Sequence, residues 1–174
     1  MKTLILYGSQ YGTTKQYADK LAELTGLPVS ACEDAWEAAD YEQIVYFGAL
    51  YAGGVKGLKA AAGRMRSDTR LILATVGLAD PTDQENVGNI RSAVRRQLPE
   101  ELLEHTEFFH LRGGIDYSRL SLKHKTMMAL LYNKAKHLPE EKKTAEVRAM
   151  IETYGSAVSF VDHEALTAVR NALK

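Results

Sequence analysis

Short runs of consecutive apolar residues alternate along this chain with stretches in which apolar residues recur every third or fourth position. The runs at 4–7, 28–32, 44–48, 69–76 and 108–111 are short and rich in apolar side chains, and they predict five strands. Between them, residues 14–24 place Tyr17, Ala18, Leu21 and Leu24 on one helical face. Residues 57–65 read as a short alanine-rich helix, and residues 86–98 space Val87, Ile90, Val94 and Leu98 three or four apart before Pro99 ends the pattern. A strand that is apolar at nearly every position has no face left for water. The expected architecture is therefore α/β, a doubly wound five-stranded parallel sheet with helices on both sides. No repeat, low-complexity tract or linker interrupts the alternation, so a single domain over residues 1–174 is expected.

Composition narrows the class. The 174 residues are 45% hydrophobic and 25% charged, an ordinary globular balance. Formal net charge is zero, which argues against nucleic acid as a partner. A single cysteine, Cys32, excludes a disulfide framework, a cysteine-ligated zinc and an iron–sulfur cluster within one chain. No apolar stretch approaches the roughly 18 to 20 residues that span a bilayer, and the first residues run straight into a strand. The expectation is a soluble, cytoplasmic domain.

The turn after the first strand, Ser9-Gln10-Tyr11-Gly12-Thr13-Thr14, holds more small polar groups than a turn requires. It opens a helix at the carboxyl end of a parallel strand, where unpaired N–H groups and the helix dipole favour an anion. Hydroxyls of Ser9, Thr13 and Thr14 add donors, and Gly12 lets the backbone approach closely, so a phosphate monoester suits the loop. An ordinary capped turn uses the same residues. The dinucleotide pattern G-x-G-x-x-G is absent, and Gly12 is followed by Thr13-Thr14-Lys15 rather than the Gly-Lys-Ser/Thr of a Walker loop. No acidic cluster follows the first strand, as a phospho-accepting receiver would need. Two further loops share this edge. Residues 48–57 set Tyr51 among Gly and Ala, and residues 75–88 form a long, turn-rich connection. Tyr51 either stacks on a flat ring or covers a core edge, and Gly53-Gly54 either shapes a site or makes a turn.

Together the three loops resemble the flavodoxin family, over residues 1 to about 98. Its phosphate loop, Thr/Ser-x-Thr-Gly-x-Thr, is matched by Ser9, Gly12 and Thr14, with Tyr11 where a third hydroxyl residue is usual. The resemblance implies FMN, with its phosphate on Ser9, Gln10, Tyr11, Gly12, Thr13 and Thr14. The ring would lie between Ala49, Leu50, Tyr51, Ala52, Gly53 and Gly54 on one side and Val76, Gly77, Leu78 and Asp80 on the other, Tyr51 being the stacking aromatic. Apart from Lys56 these loops lack Lys and Arg, which suits a site that leaves the charge of a reduced ring unneutralised. No residue is assigned a general acid or base role.

The carboxyl half departs from the small acidic flavodoxins. Between residues 110 and 137, six basic residues (Arg112, Arg119, Lys123, Lys125, Lys134 and Lys136) stand against Asp116 alone, interleaved with Leu120, Leu122, Met127, Met128, Leu130 and Leu131. This reads as a basic amphipathic helix in a helical segment of about 116–155, inserted after the fifth strand. It is either a solvated face packed on the sheet or a docking element. A flavodoxin-like menaquinone-dependent protoporphyrinogen oxidase looks similar, in the opening Met-Lys-Thr-Leu-Ile-Leu, the Gly-Ala after the third strand and such an insert before a closing helix, here 162–173 with Asp162 as N-cap. Three readings stay open: an FMN redox protein carrying electrons between partner proteins, a quinone-linked oxidase docking at an anionic membrane surface or acidic partner, and a cofactor-free binding module. The first is preferred. Peripheral association with the inner face of the membrane accompanies the second. The five histidines show no metal spacing and are expected at the surface, Trp36 is expected to pack a short helix, and Cys32 is expected to be buried and inert.

Overall fold

In the computed structural model, residues Met1 to Leu173 are described; Lys174, the last residue of the expected domain, lies outside them. Strands β1 (Thr3–Gly8), β2 (Val29–Ala31), β3 (Gln43–Tyr51), β5 (Arg70–Gly77) and β6 (Thr106–Arg112) form one parallel sheet in the order β2-β1-β3-β5-β6. A two-residue strand β4 (Gly54–Val55) folds back antiparallel on the end of β3. The order reverses between β1 and β3, and a ligand crevice belongs at the carboxyl ends of these strands.

Alternation along the strands explains why both faces are covered. Leu4, Leu6, Ile44, Tyr46, Leu71 and Leu73 point to one side, against helices α2 (Leu58–Ala62), α3 (Gln84–Arg95) and α4 (Glu100–Glu104). Ile5, Val45, Phe47, Ile72 and Ala74 point to the other, against α1 (Thr13–Thr25) and α7 (Leu166–Asn171). β1, β3 and β5 thus each contribute to two cores, which is the doubly wound arrangement.

Several boundaries differ from the periodicity. The helix expected over 86–98 starts two residues earlier, because the Asp83 carboxylate accepts the Asn86 N–H at 2.8 Å as an N-cap. It stops at Arg95, and Pro99 starts the separate α4. Leu24, expected on the buried face of α1, is 45% exposed. Asp162 does cap the closing segment, accepting the Glu164 N–H at 2.9 Å, but its first turn is a 3-10 turn and α7 follows it. Trp36 is 74% exposed rather than packed, with the Arg64 guanidinium 4.2 Å above its ring. After β6 come β7 (Gly114–Asp116), α5 (Leu122–Lys136), α6 (Ala145–Thr153) and β8 (Ala157–Ser159). β7 and β8 pair antiparallel as a separate ribbon. The expected basic helix is α5, and the helical segment expected over about 116–155 also holds α6; both sit on this ribbon, built around Ile115, Tyr117 and Met128. No helix among the described residues is long and apolar enough to cross a membrane.

Tyr17, fully buried on α1, ties three segments. Its hydroxyl donates to the Arg112 carbonyl at 2.6 Å and accepts the Asp162 N–H at 2.9 Å. Tyr17→Phe keeps the ring packing but strands both backbone groups, so it should lower unfolding free energy by about 1–3 kcal/mol. A urea midpoint identical to the parent's would show that water satisfies both groups instead.

Candidate functional site

β1 ends at Gly8, where an added Cβ would lie 2.2 Å from the Lys56 carbonyl oxygen; the absent side chain is what lets the 55–57 segment close on β1. The loop beyond turns into α1 through Gly12, at φ 96°. The first turn of α1 holds no acidic residue. The Ser9 hydroxyl accepts the Gly12 N–H at 3.1 Å, and the Lys56 ammonium donates to the Ser9 carbonyl at 2.6 Å. The remaining first-turn N–H groups have no acceptor within the helix. Thr13 is half-buried, with its hydroxyl 3.4 Å from the Gly114 N–H, whereas Thr14 is buried beneath the turn. The helix dipole and the Lys56 ammonium thus both bring positive charge to this loop.

The second loop is the β3–β4 hairpin. Its two central residues, Ala52 and Gly53, have φ of 50° and 78°, and Ala52 is the one non-glycine with positive φ among the described residues. Two left-handed residues match the twist of a tight hairpin. The Gln97 side chain braces it by accepting the Val55 N–H at 2.8 Å and donating to the Val55 carbonyl at 3.1 Å. Tyr51, half-buried, and Gly54 flank that turn. In the third loop, the Asp80 carboxylate accepts both the N–H and the hydroxyl of Thr82, at 2.8 and 2.7 Å. Those bonds hold its carboxyl below the usual range and commit it to its own turn. Arg112 donates to the Leu78 carbonyl at 2.8 Å, fixing the start of this loop.

The insert lies over all three loops. On α5, His124 Nε2 lies 3.0 Å from the Gln10 side-chain amide nitrogen and Nδ1 lies 2.8 Å from the Ser121 hydroxyl. The hydroxyls of Tyr11 and Tyr51 each donate to a methionine sulfur of α5, Met128 and Met127, at 3.5 Å. Burial, then the nearby Tyr51, pushes the Tyr11 phenol up. On α6, Glu146 accepts the Leu78 N–H at 2.8 Å and the Ala79 N–H at 3.0 Å.

Three cavities follow the strand ends in a row. A cavity of about 520 Å³ adjoins the first loop and α1, with Gln10, Tyr11, Thr13, Arg119 and His124 in its walls. A crevice of about 60 Å³ lies over the strand ends, between Ala49-Leu50 and Val76-Gly77-Leu78. A third cavity, of about 360 Å³, is walled by residues 50–54 and α3. Tyr11 and Thr13 are common to the first two, and Leu50 and Glu146 to the last two. The flavodoxin domain family matches the chain over residues 4–142. The chain belongs to the flavodoxin family.

Solved structures of this family are similar to it in part. A mutant flavodoxin from Pseudomonas aeruginosa is 23% identical, covering 78% of this chain and 97% of that one, with a TM-score of 0.41. Oxidised flavodoxin 1 from Bacillus cereus is 14% identical over 80% of this chain and all (100%) of its own, with a TM-score of 0.44. A flavoprotein of Lactobacillus acidophilus, crystallised in complex with FMN, is 16% identical over 64% of this chain and 91% of that one, with a TM-score of 0.41. Comparison with curated protein sequences finds no match.

The structure brings the three loops to one edge of the sheet, with Thr14 buried, and with Asp80 turned to its own loop and outside the three cavities. Four polar residues at that edge were absent from the sequence-based site. Lys56 was visible as the lone cation of the loops, but Gln97, His124 and Glu146 lie tens of residues away and carry no local signal. His110 corrects the expectation of five surface histidines. It is half-buried, with Nδ1 2.8 Å from the Thr75 hydroxyl and Nε2 without a partner. Burial, and then Arg91, hold its pKa below the ordinary value. The folded chain keeps this ring neutral, so acid favours the unfolded chain. Stability should fall as pH drops below about 6.5, where a free histidine protonates. His110→Gln should flatten the decline of the urea midpoint between about pH 7 and 5.5, above the range of ordinary carboxylates; an unchanged slope would assign it to another group.

Proposed function

We propose that this chain binds FMN and serves as a flavodoxin-type redox protein, passing electrons between partner proteins. The observation that carries the reading is the acid-free, amide-rich loop at residues 9–14, backed by Lys56 and adjoining the first of three separate cavities that follow the strand ends towards Tyr51. The donor set fits a phosphate monoester. Family membership supports the rest of the cofactor, and so does an apolar, aromatic far cavity lined by Leu50, Tyr51 and Ile90. When bound, the flavin supplies the electron chemistry, and the protein supplies binding, orientation and electrostatics. Ser9, Thr13 and the first-turn amides of α1 hold the phosphate, Tyr51 covers the ring, and Met127, Met128 and Leu50 exclude water from it. The crevice in between is narrow against the roughly 300 to 1,000 Å³ of ordinary ligand sites. Entry of the ring therefore needs the insert to give way.

Purified protein should quench FMN fluorescence on binding and hold riboflavin at least tenfold more weakly, because hydrogen bonds to a charged group contribute about 1.5–3 kcal/mol each. Tyr51→Ala should cost about 1–3 kcal/mol of FMN affinity. Equal affinity for FMN and riboflavin would sink the phosphate assignment, and no binding of either would leave a cofactor-free module.

A specific observation favours adding a membrane surface to the partners, in keeping with the quinone-linked oxidase reading. On α5, Leu122 and Leu130 are 81% and 67% exposed. At 3.6 residues per turn they share a face, with Lys123 and Lys134 along one side and Lys125 and Lys136 along the other. Apolar residues framed by lysines suit an anionic bilayer, to which each basic residue contributes about 1 kcal/mol. The protein should cosediment with phosphatidylserine vesicles at low salt and be released as salt rises. Replacing the four lysines by Gln should abolish binding without altering FMN affinity. A parent protein that stays in the supernatant at low salt would retire the membrane and favour a merely solvated face over docking on an acidic protein.

A further inference from the structure

Glu146 is in an unusual position for a carboxylate. It comes from the first turn of α6, yet both its oxygens are spent on backbone N–H groups of the loop after β5, 2.8 Å from Leu78 and 3.0 Å from Ala79. None of the side-chain ion pairs among the described residues includes it. It lines both the 360 Å³ cavity beside Tyr51 and the 60 Å³ crevice over the strand ends, so it stands in the passage between them. Gly77 leaves it room: a Cβ there would lie 2.9 Å from Glu146 Oε2.

We propose that Glu146 latches the insert closed, and that a flavin ring competes with it for the Leu78 and Ala79 N–H groups. This rests on the FMN reading above. Two adjacent amides aimed into a crevice form a site for hydrogen-bond acceptors, and the flavin ring carries carbonyl oxygens on its rim. The carboxylate and a ring carbonyl cannot hold the same pair of donors. Among the contacts that close the insert over the crevice, Glu146 makes the strong one. Charge-assisted bonds outweigh neutral ones, whereas Tyr11 and Tyr51 donate only to thioether sulfurs, which are weak acceptors, and Gln10–His124 is a single bond in the wall of the 520 Å³ cavity rather than at the crevice. Withdrawal of Glu146 joins the crevice to the cavity beside Tyr51. The apparent affinity for FMN is then the intrinsic affinity reduced by the fraction of molecules with the latch open.

The test uses the full chain and two readouts. First, amide hydrogen exchange without FMN: Glu146→Ala should speed exchange at Leu78, Ala79 and across 122–153 while leaving β1, β3 and β5 unchanged. Second, FMN titration: Glu146→Ala should bind FMN about tenfold or more tightly than the parent and associate faster, with Glu146→Gln, which keeps one acceptor oxygen, in between. Unchanged exchange over 122–153 overturns the latch whatever FMN does. Faster exchange with equal or weaker FMN affinity overturns the competition, because Glu146 then merely supports the loop. If neither protein binds FMN, the cofactor reading falls and takes the competition with it, while the exchange result still decides whether Glu146 closes the insert.

Discussion

The carboxyl edge of the sheet is where this fold must settle its polar accounts. With cores on both faces, β1, β3 and β5 are sealed along their length, and registered pairs such as Gly8 with Gly48 and Ala49 with Val76 bring their ends nearly level. Beyond that level the backbone has N–H groups that neither sheet nor helix uses. Ser9 satisfies the one on Gly12, and Glu146 satisfies those on Leu78 and Ala79. The first turn of α1 keeps its own free. The chain thus supplies internal acceptors at the third loop and leaves the first open to an anion. That asymmetry follows from where the insert reaches, since α5 and α6 cover the strand ends while the side of α1 faces the larger cavity.

How much of this was legible in the sequence depends on range. The strands announced themselves because burial on both faces removes polar residues from them, and α1 and α3 did so through spacing alone. The family match confirms the resemblance read from Ser9, Gly12 and Thr14. What escaped was whatever a distant partner decides. Leu24 fits the helical stripe, but the last turn of α1 tucks Ala22 against the core and leaves Leu24 45% exposed. Val55 makes a strand only because β3 and the Gln97 side chain supply its hydrogen bonds. The β7–β8 ribbon joins Gly114 to Ser159, a pairing no local pattern encodes. His110 looks like any strand histidine until Thr75 is seen beside it.

The insert shows why periodicity misled most there. A helix packed on a sheet has one apolar stripe and one polar one. α5 has two apolar surfaces, since Met128 and Ala135 turn inward while Leu122 and Leu130 turn outward between lysines. Superposed in one sequence they blur into a general mixture of Leu, Met and Lys, and a single amphipathic face is the natural misreading. Charge segregation survives that blurring: the chain is neutral, yet α5, which covers the edge, carries four lysines and no acidic residue.

This two-sidedness links the outer surface of the insert to the crevice beneath. The inner side of α5 touches Gln10, Tyr11 and Tyr51 through His124, Met128 and Met127. Its Tyr132 ring stacks on Tyr154, which follows α6, with centroids 4.1 Å apart and planes 7° from parallel, and Tyr154 meets Tyr117 edge-on at 5.2 Å. Burial pushes the Tyr117 phenol up to about 12, so that phenol stays uncharged across physiological pH. Packed interiors of this kind move as bodies rather than deforming continuously. If α5 docks as proposed, a surface that holds its outer leucines and lysines would pull on the same body that carries Glu146. Docking and the proposed opening of the crevice would then draw on one mechanical unit, and a partner that favoured the displaced insert would by reciprocity bind more tightly with the crevice filled.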